Sequence, residues 1–68
     1  MSLKPVLWIN KDIPDRDRMV ELFRNAFTDG VIADIAGDVP HLRVSAYMFR
    51  GRGQVLGTLR RCFESKKA

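Results

Sequence analysis

Met19, Leu22, Phe23, Ala26 and Phe27 stand at i, i+3, i+4, i+7 and i+8, a spacing that gathers five apolar side chains on one face only if the backbone is helical. The flanking residues agree. Asp12 or Asp15 suits an N-cap, Pro14 suits a first turn, and Asp15, Asp17 and Glu21 complement the positive end of the helix dipole. Thr28-Asp29-Gly30 closes the segment, with Gly30 free to adopt a left-handed cap. Such a stripe has to be covered, and in a chain of 68 residues only about 60% of the unfolded surface is buried on folding. One small core in a single domain over 1–68 is therefore expected, and pairing into a homodimer would enlarge it.

The remaining segments are the material for that cover. "PVLWI", residues 5–9, is a short apolar run rich in β-branched and aromatic side chains and reads as a strand, with Pro5 pointing to a sheet edge. "VIADIAGD" reads as a short helix with Ile32, Ile35 and Ala36 inward and Gly37 as its stop, or as a strand, since Val31, Ala33 and Ile35 alternate. "PHLRVSAYMFR" starts with proline and spaces Leu42, Ala46 and Phe49 four and three apart, which predicts a helix that Gly51 and Gly53 break. "QVLGTLRRCFESKKA" admits a helix through Val55, Leu56, Leu59 and Phe63, or a hairpin turning at Gly57-Thr58. The expected fold is mainly α with a short N-terminal strand, three core helices, and a small C-terminal wing or a fourth helix. Leu22, Phe23, Phe27, Ile32, Ile35, Val44 and Phe49 are its expected core.

Charge is unevenly distributed along the chain. The net charge is +4, from 12 Lys+Arg against 8 Asp+Glu. Seven of those acids precede residue 39, whereas Arg43, Arg50, Arg52, Arg60, Arg61, Lys66 and Lys67 follow it with Glu64 alone to offset them. A basic C-terminal half of this kind attracts polyanions. The hydrophobic fraction of 46% suits a folded core, and no apolar run reaches the roughly 18 residues of a membrane span. "MSLKPVLWINKD" lacks the apolar stretch and cleavage site of a signal peptide, so a cytoplasmic location is the default expectation. Cys62 is the single cysteine, which excludes an internal disulfide and a four-cysteine zinc site.

The capped helix at Asp15–Phe27, then "VIADIAG", a turn, "PHLRVSAYMFR" and the glycine-bracketed "GRGQVLGTLRR" together resemble the winged-helix and helix-turn-helix DNA-binding families of small bacterial and phage regulators. The resemblance spans residues 15–61, and "ADIA" and "RVSAYMF" are similar to the two helical elements of that motif. Spacing from the first-helix alanines to Val44, eight residues from Ala36 and eleven from Ala33, departs from the family's interval and implies a shortened or rearranged turn. The resemblance implies a helix-turn-helix core and a transcriptional regulator that occupies duplex DNA as a dimer, with residues 40–50 as its recognition helix. Arg43 and Ser45, near the start of that helix, would meet base edges, while Arg50, Arg52, Arg60 and Arg61 would hold phosphates or enter the minor groove.

Other chemistry is sparse. His41 has no second histidine or neighbouring cysteine at ligand spacing, so neither metal nor cofactor is expected. Asp34 and Asp38 read as solvating carboxylates, and Cys62 as a small hydrophobe, which leaves no catalytic set and no enzyme. Trp8 and Tyr47 are core candidates first and base-stacking candidates second. The alternative function is a small phage-type protein that inhibits or adapts a host protein, through "PVLWI" as an edge strand or through the apolar face of the Met19–Phe27 helix.

Overall fold

The computed structural model describes residues 4–67, with side-chain surroundings for 4–65; residues 1–3 of the stretch read for a signal peptide, and the side chains of Lys66 and Lys67, lie outside the described residues. Strand β1 (Val6–Trp8) leads through helix α1 (Arg16–Ala26) to strand β2 (Val31–Ala33). Strands β3 (His41–Val44) and β4 (Tyr47–Arg50) form a hairpin, and helix α2 (Arg52–Lys67) ends the chain. The sheet order is β2-β1-β3-β4, with β1 parallel to β2 and antiparallel to β3, and β3 antiparallel to β4. Parallel strands cannot be joined by a tight turn. Helix α1 is the crossover that links β1 to β2.

Both helices lie on one side of this sheet. Leu7 pairs with Ile32 on one flank and Leu42 on the other, and Leu42 pairs with Phe49, so these four residues form one row on a single face. Met19, Leu22 and Phe23 from α1 and Val55 and Leu59 from α2 join Leu7 and Leu42 in the buried core, with Ile9 and Ile13 closing its end. Each fully buried aliphatic or aromatic side chain contributes about 1.5–3 kcal/mol, so this cluster is the main source of stability. Ile32, Phe27, Val44 and Phe49 pack against it half-buried, whereas Ile35 lies outside it.

The expectation of a mainly α, three-helix core is overturned: the chain is an α+β domain with two helices against a four-stranded mixed sheet. The stretch expected to be the recognition helix is the β3–β4 hairpin. Ser45 and Ala46 form its two-residue loop, and Ser45 has φ +57°, a positive value at the first loop position alone, as in a type II′ turn. "VIADIAGD" takes its alternating reading as β2, and the C-terminal segment is a helix throughout rather than a wing hairpin. "PVLWI" is a strand, yet an interior one, because β1 is hydrogen-bonded on both sides. Two caps also differ. Asp15 occupies the α1 N-cap without a side-chain cap bond, and the helix ends at an extended Phe27 rather than a left-handed Gly30.

Candidate functional site

Pleating sends Val6, Trp8, Val31, Ala33, His41, Arg43, Met48 and Arg50 to the face opposite Leu7 and Leu42. Register lines them up in two rows across all four strands. Ala33, Trp8, His41 and Arg50 make one row, and Val31, Val6, Arg43 and Met48 make the other. Because α1 and α2 both pack on the opposite layer, no helix covers these residues, and Met48 and Val31 remain about half exposed, at 52% and 45%. Two arginines and a histidine belong to this face, and none of its eight strand residues is a carboxylate.

Trp8 is the centre of the arrangement. The Arg43 guanidinium carbon lies 5.8 Å from the Trp8 ring centroid, within cation–π range, and Nη2 of Arg43 donates to the Lys4 carbonyl at 3.3 Å. Across the other row, Arg50 Nε donates to His41 Nε2 at 3.2 Å, and an accepting Nε2 puts the ring proton of His41 on Nδ1. His41 Nδ1 and Arg43 Nε are both buried without a protein hydrogen-bond partner, so two polar groups flanking Trp8 are not fully satisfied within the fold. Ile35, from the loop after β2, joins Trp8, His41 and Met48 around a shallow cleft of about 270 Å³. The result is an apolar, aromatic floor with cations beside it.

The sequence-predicted cations do not form one set. Arg43 and Arg50 share the uncovered face, but Ser45 sits exposed in the hairpin loop. Arg52 pairs instead with Asp15 at 3.0 Å and ties the start of α2 to the start of α1. Arg60 and Arg61 are exposed on α2, in the other layer, where Arg61 donates to Thr58 Oγ1 at 3.5 Å. A recognition helix bearing Arg43 and Ser45 is thereby replaced by a strand and its turn. Met48 is the face residue that sequence reasoning passes over; His41 is legible there only as a cap or a phosphate contact, and Trp8 as core first. Their signal is the period of two in "HLRV", where His41 and Arg43 alternate with Leu42 and Val44, and in "VLW", where Leu7 alone turns inward.

Among the described residues no three His, Cys, Asp or Glu side chains converge on a metal-sized site. Cys62 is half-buried on α2. Among the described residues no helix is long and apolar enough to cross a membrane. The edge-strand route through "PVLWI" is closed by the pairing of β1 on both sides, and the apolar face of α1 is consumed by the core. Comparison with protein-family models, with curated protein sequences and with solved structures finds no match to this chain.

Proposed function

We propose that this protein binds nucleic acid as a single strand laid across the uncovered face of its sheet. The observation that carries the proposal is the Arg43–Trp8 cation–π contact on a face that has two arginines and a histidine and no carboxylate among its strand residues. An indole accepts any base on its π-face, and base stacking contributes about 1–3 kcal/mol per base. Arg43 and Arg50 supply the phosphate-neutralising charge, and the cleft among Trp8, Ile35, His41 and Met48 is a seat for one unstacked base. A paired base keeps its faces within the duplex stack, so this floor favours single strands.

The test is a titration of labelled single-stranded DNA and RNA oligonucleotides, and of the matching duplex, at several salt concentrations. Trp8 is the sole tryptophan, so its fluorescence reports contact directly. Expected are a preference for the single strand, quenching of Trp8 on binding, and an affinity that falls with salt. Absence of binding at low salt, or duplex binding that leaves Trp8 fluorescence unchanged, would refute the proposal.

A further inference from the structure

The free edge of β4 has a definite pairing capacity. Gly51 N–H donates to the Pro40 carbonyl at 2.9 Å just beyond the end of the hairpin, and the ladder register is His41 with Arg50, Leu42 with Phe49, Arg43 with Met48 and Val44 with Tyr47. In an antiparallel ladder, hydrogen-bonded and non-hydrogen-bonded pairs alternate. Counting from the Pro40–Gly51 bond, Leu42–Phe49 and Val44–Tyr47 are the bonded pairs. The peptide N–H and C=O groups of Met48 and Arg50 therefore turn away from β3, toward the open side of the sheet.

Natural sheets protect such edges with short strands, proline, lysine or bulges. The other edge, β2, is only three residues long and is followed at once by Asp34. Strand β4 has four residues, contains no proline and a single charge, Arg50, and presents Tyr47 and Met48 at 71% and 52% exposure. Beside it on the helix layer, Phe49, Gly53, Gln54, Gly57 and Arg61 line a second, open groove. A Cβ placed at Gly53 or Gly57 would meet nothing within 4 Å, so there is open space at both positions on this side of α2.

We infer that β4 pairs antiparallel with β4 of a second copy, about a two-fold axis through Phe49, to make one continuous eight-stranded sheet. The register follows from two constraints. Opposed residues must point to the same face, which forbids an axis between residues, and the outward peptide groups belong to Met48 and Arg50. An axis at Met48 would set Arg50 against the partner's Ala46, which lies in the hairpin loop, and an axis at Arg50 would oppose two like charges. An axis at Phe49 puts Met48 opposite the partner's Arg50, and Arg50 opposite the partner's Met48, so that all four outward N–H groups and carbonyls of the two edges find strand partners. On the helix side Phe49 meets the partner's Phe49, and Tyr47 lies over the partner's Gly51, where a Cβ would meet nothing within 4 Å. The interface is isologous and closes on itself. It depends on the β4 edge alone and stands whether or not the sheet face binds nucleic acid.

The experiment is done in a Cys62→Ser background. Directly opposed residues of a bonded pair have Cα atoms about 5.5 Å apart, within disulfide reach, whereas diagonal neighbours are roughly 7–8 Å apart. A mixture of Met48→Cys and Arg50→Cys chains, exchanged and mildly oxidised with oxidised glutathione, is expected to give a disulfide-linked dimer, and either chain alone is not. Proline at an edge position whose N–H faces outward costs no ladder bond. Met48→Pro is therefore expected to keep the far-ultraviolet circular dichroism of the parent while raising the dimer dissociation constant at least tenfold in sedimentation. A parent chain that sediments as a monomer at 100 µM overturns the inference, as does cross-linking of Met48→Cys with itself. Should Met48→Pro fail to fold, the mixed cross-link decides alone.

Discussion

Gly30 lies directly against the ring of Phe23: a Cβ built on Gly30 would fall 2.5 Å from Phe23 Cζ and 2.6 Å from Cε2. Phe23 is 1% exposed at the centre of the core and packs on Phe27 at a centroid distance of 5.4 Å, so its ring has nowhere to retreat. Glycine is needed here for room, because the turn after α1 brings its backbone onto that ring. Gly30→Ala is expected to destabilise the fold by about 1–3 kcal/mol, the usual cost of forcing a methyl into a packed core. In a domain this small each 1 kcal/mol moves the melting temperature by roughly 4–8 °C. A thermal melt that matches the parent would place the Phe23 ring elsewhere.

Removal of the ring itself should be more damaging. Phe23→Ala is expected to cost about 3–5 kcal/mol, comparable with the whole stability of a small domain. The expected outcome is loss of the cooperative thermal transition. A variant as stable as the parent would take α1 out of the core.

The hairpin loop offers a change in the other direction. Ser45 has φ +57°, a conformation that costs an L-residue with a Cβ roughly 1–2 kcal/mol and glycine almost nothing. Set against the extra freedom that glycine gives the unfolded chain, Ser45→Gly is expected to stabilise the protein by up to about 1 kcal/mol. Chemical denaturation measures it as a higher midpoint at unchanged slope. A lower midpoint would contradict the positive-φ turn.

The arginines should separate into two groups. Arg43→Ala removes the cation over Trp8 and is expected to weaken single-strand binding and flatten its salt slope by about 0.7, the value for one phosphate contact on a single strand. Arg52→Ala breaks a half-exposed ion pair with Asp15. Its expected effects are a stability change of at most about 1 kcal/mol and unaltered binding. Anisotropy titrations at three or more salt concentrations decide between them; equal losses for both variants would remove the sheet face as the binding surface.

Trp8→Ala and Trp8→Phe test the stacking floor. Trp8 lies half-buried on the face away from the core, so both variants should fold. The alanine variant is expected to lose about 1–3 kcal/mol of binding, and phenylalanine to recover much of it. Equal affinity for all three proteins would show that no base rests on this residue.

Local periodicity determined several elements of this protein by itself. The 3.6-residue stripe from Met19 to Phe27 lies in α1, whose bounds Arg16–Ala26 match the expected helix Asp15–Phe27 within a residue at each end, and the compact "VLW" run appears as β1. These two patterns are legible because each matches only one backbone period. Val55, Leu56, Leu59 and Phe63 suit the helix that forms as α2, but the same segment also admits a hairpin at Gly57-Thr58, so its period alone leaves it open. Residues 41–50 match two periods. Leu42, Ala46 and Phe49 suit a helix, while Leu42 and Val44, then Tyr47 and Phe49, suit two alternating strands whose phase slips across a two-residue loop. Tertiary structure decided for the strands, because the open flank of β1 offers unpaired peptide groups and the Leu7 side chain to the incoming Leu42. That long-range choice also decided the candidate site. A helix would have set Arg43 and Arg50 seven residues apart on its own surface; the sheet sets them with Trp8 and His41 in adjoining rows, a juxtaposition that exists only once residues more than 30 positions apart have paired.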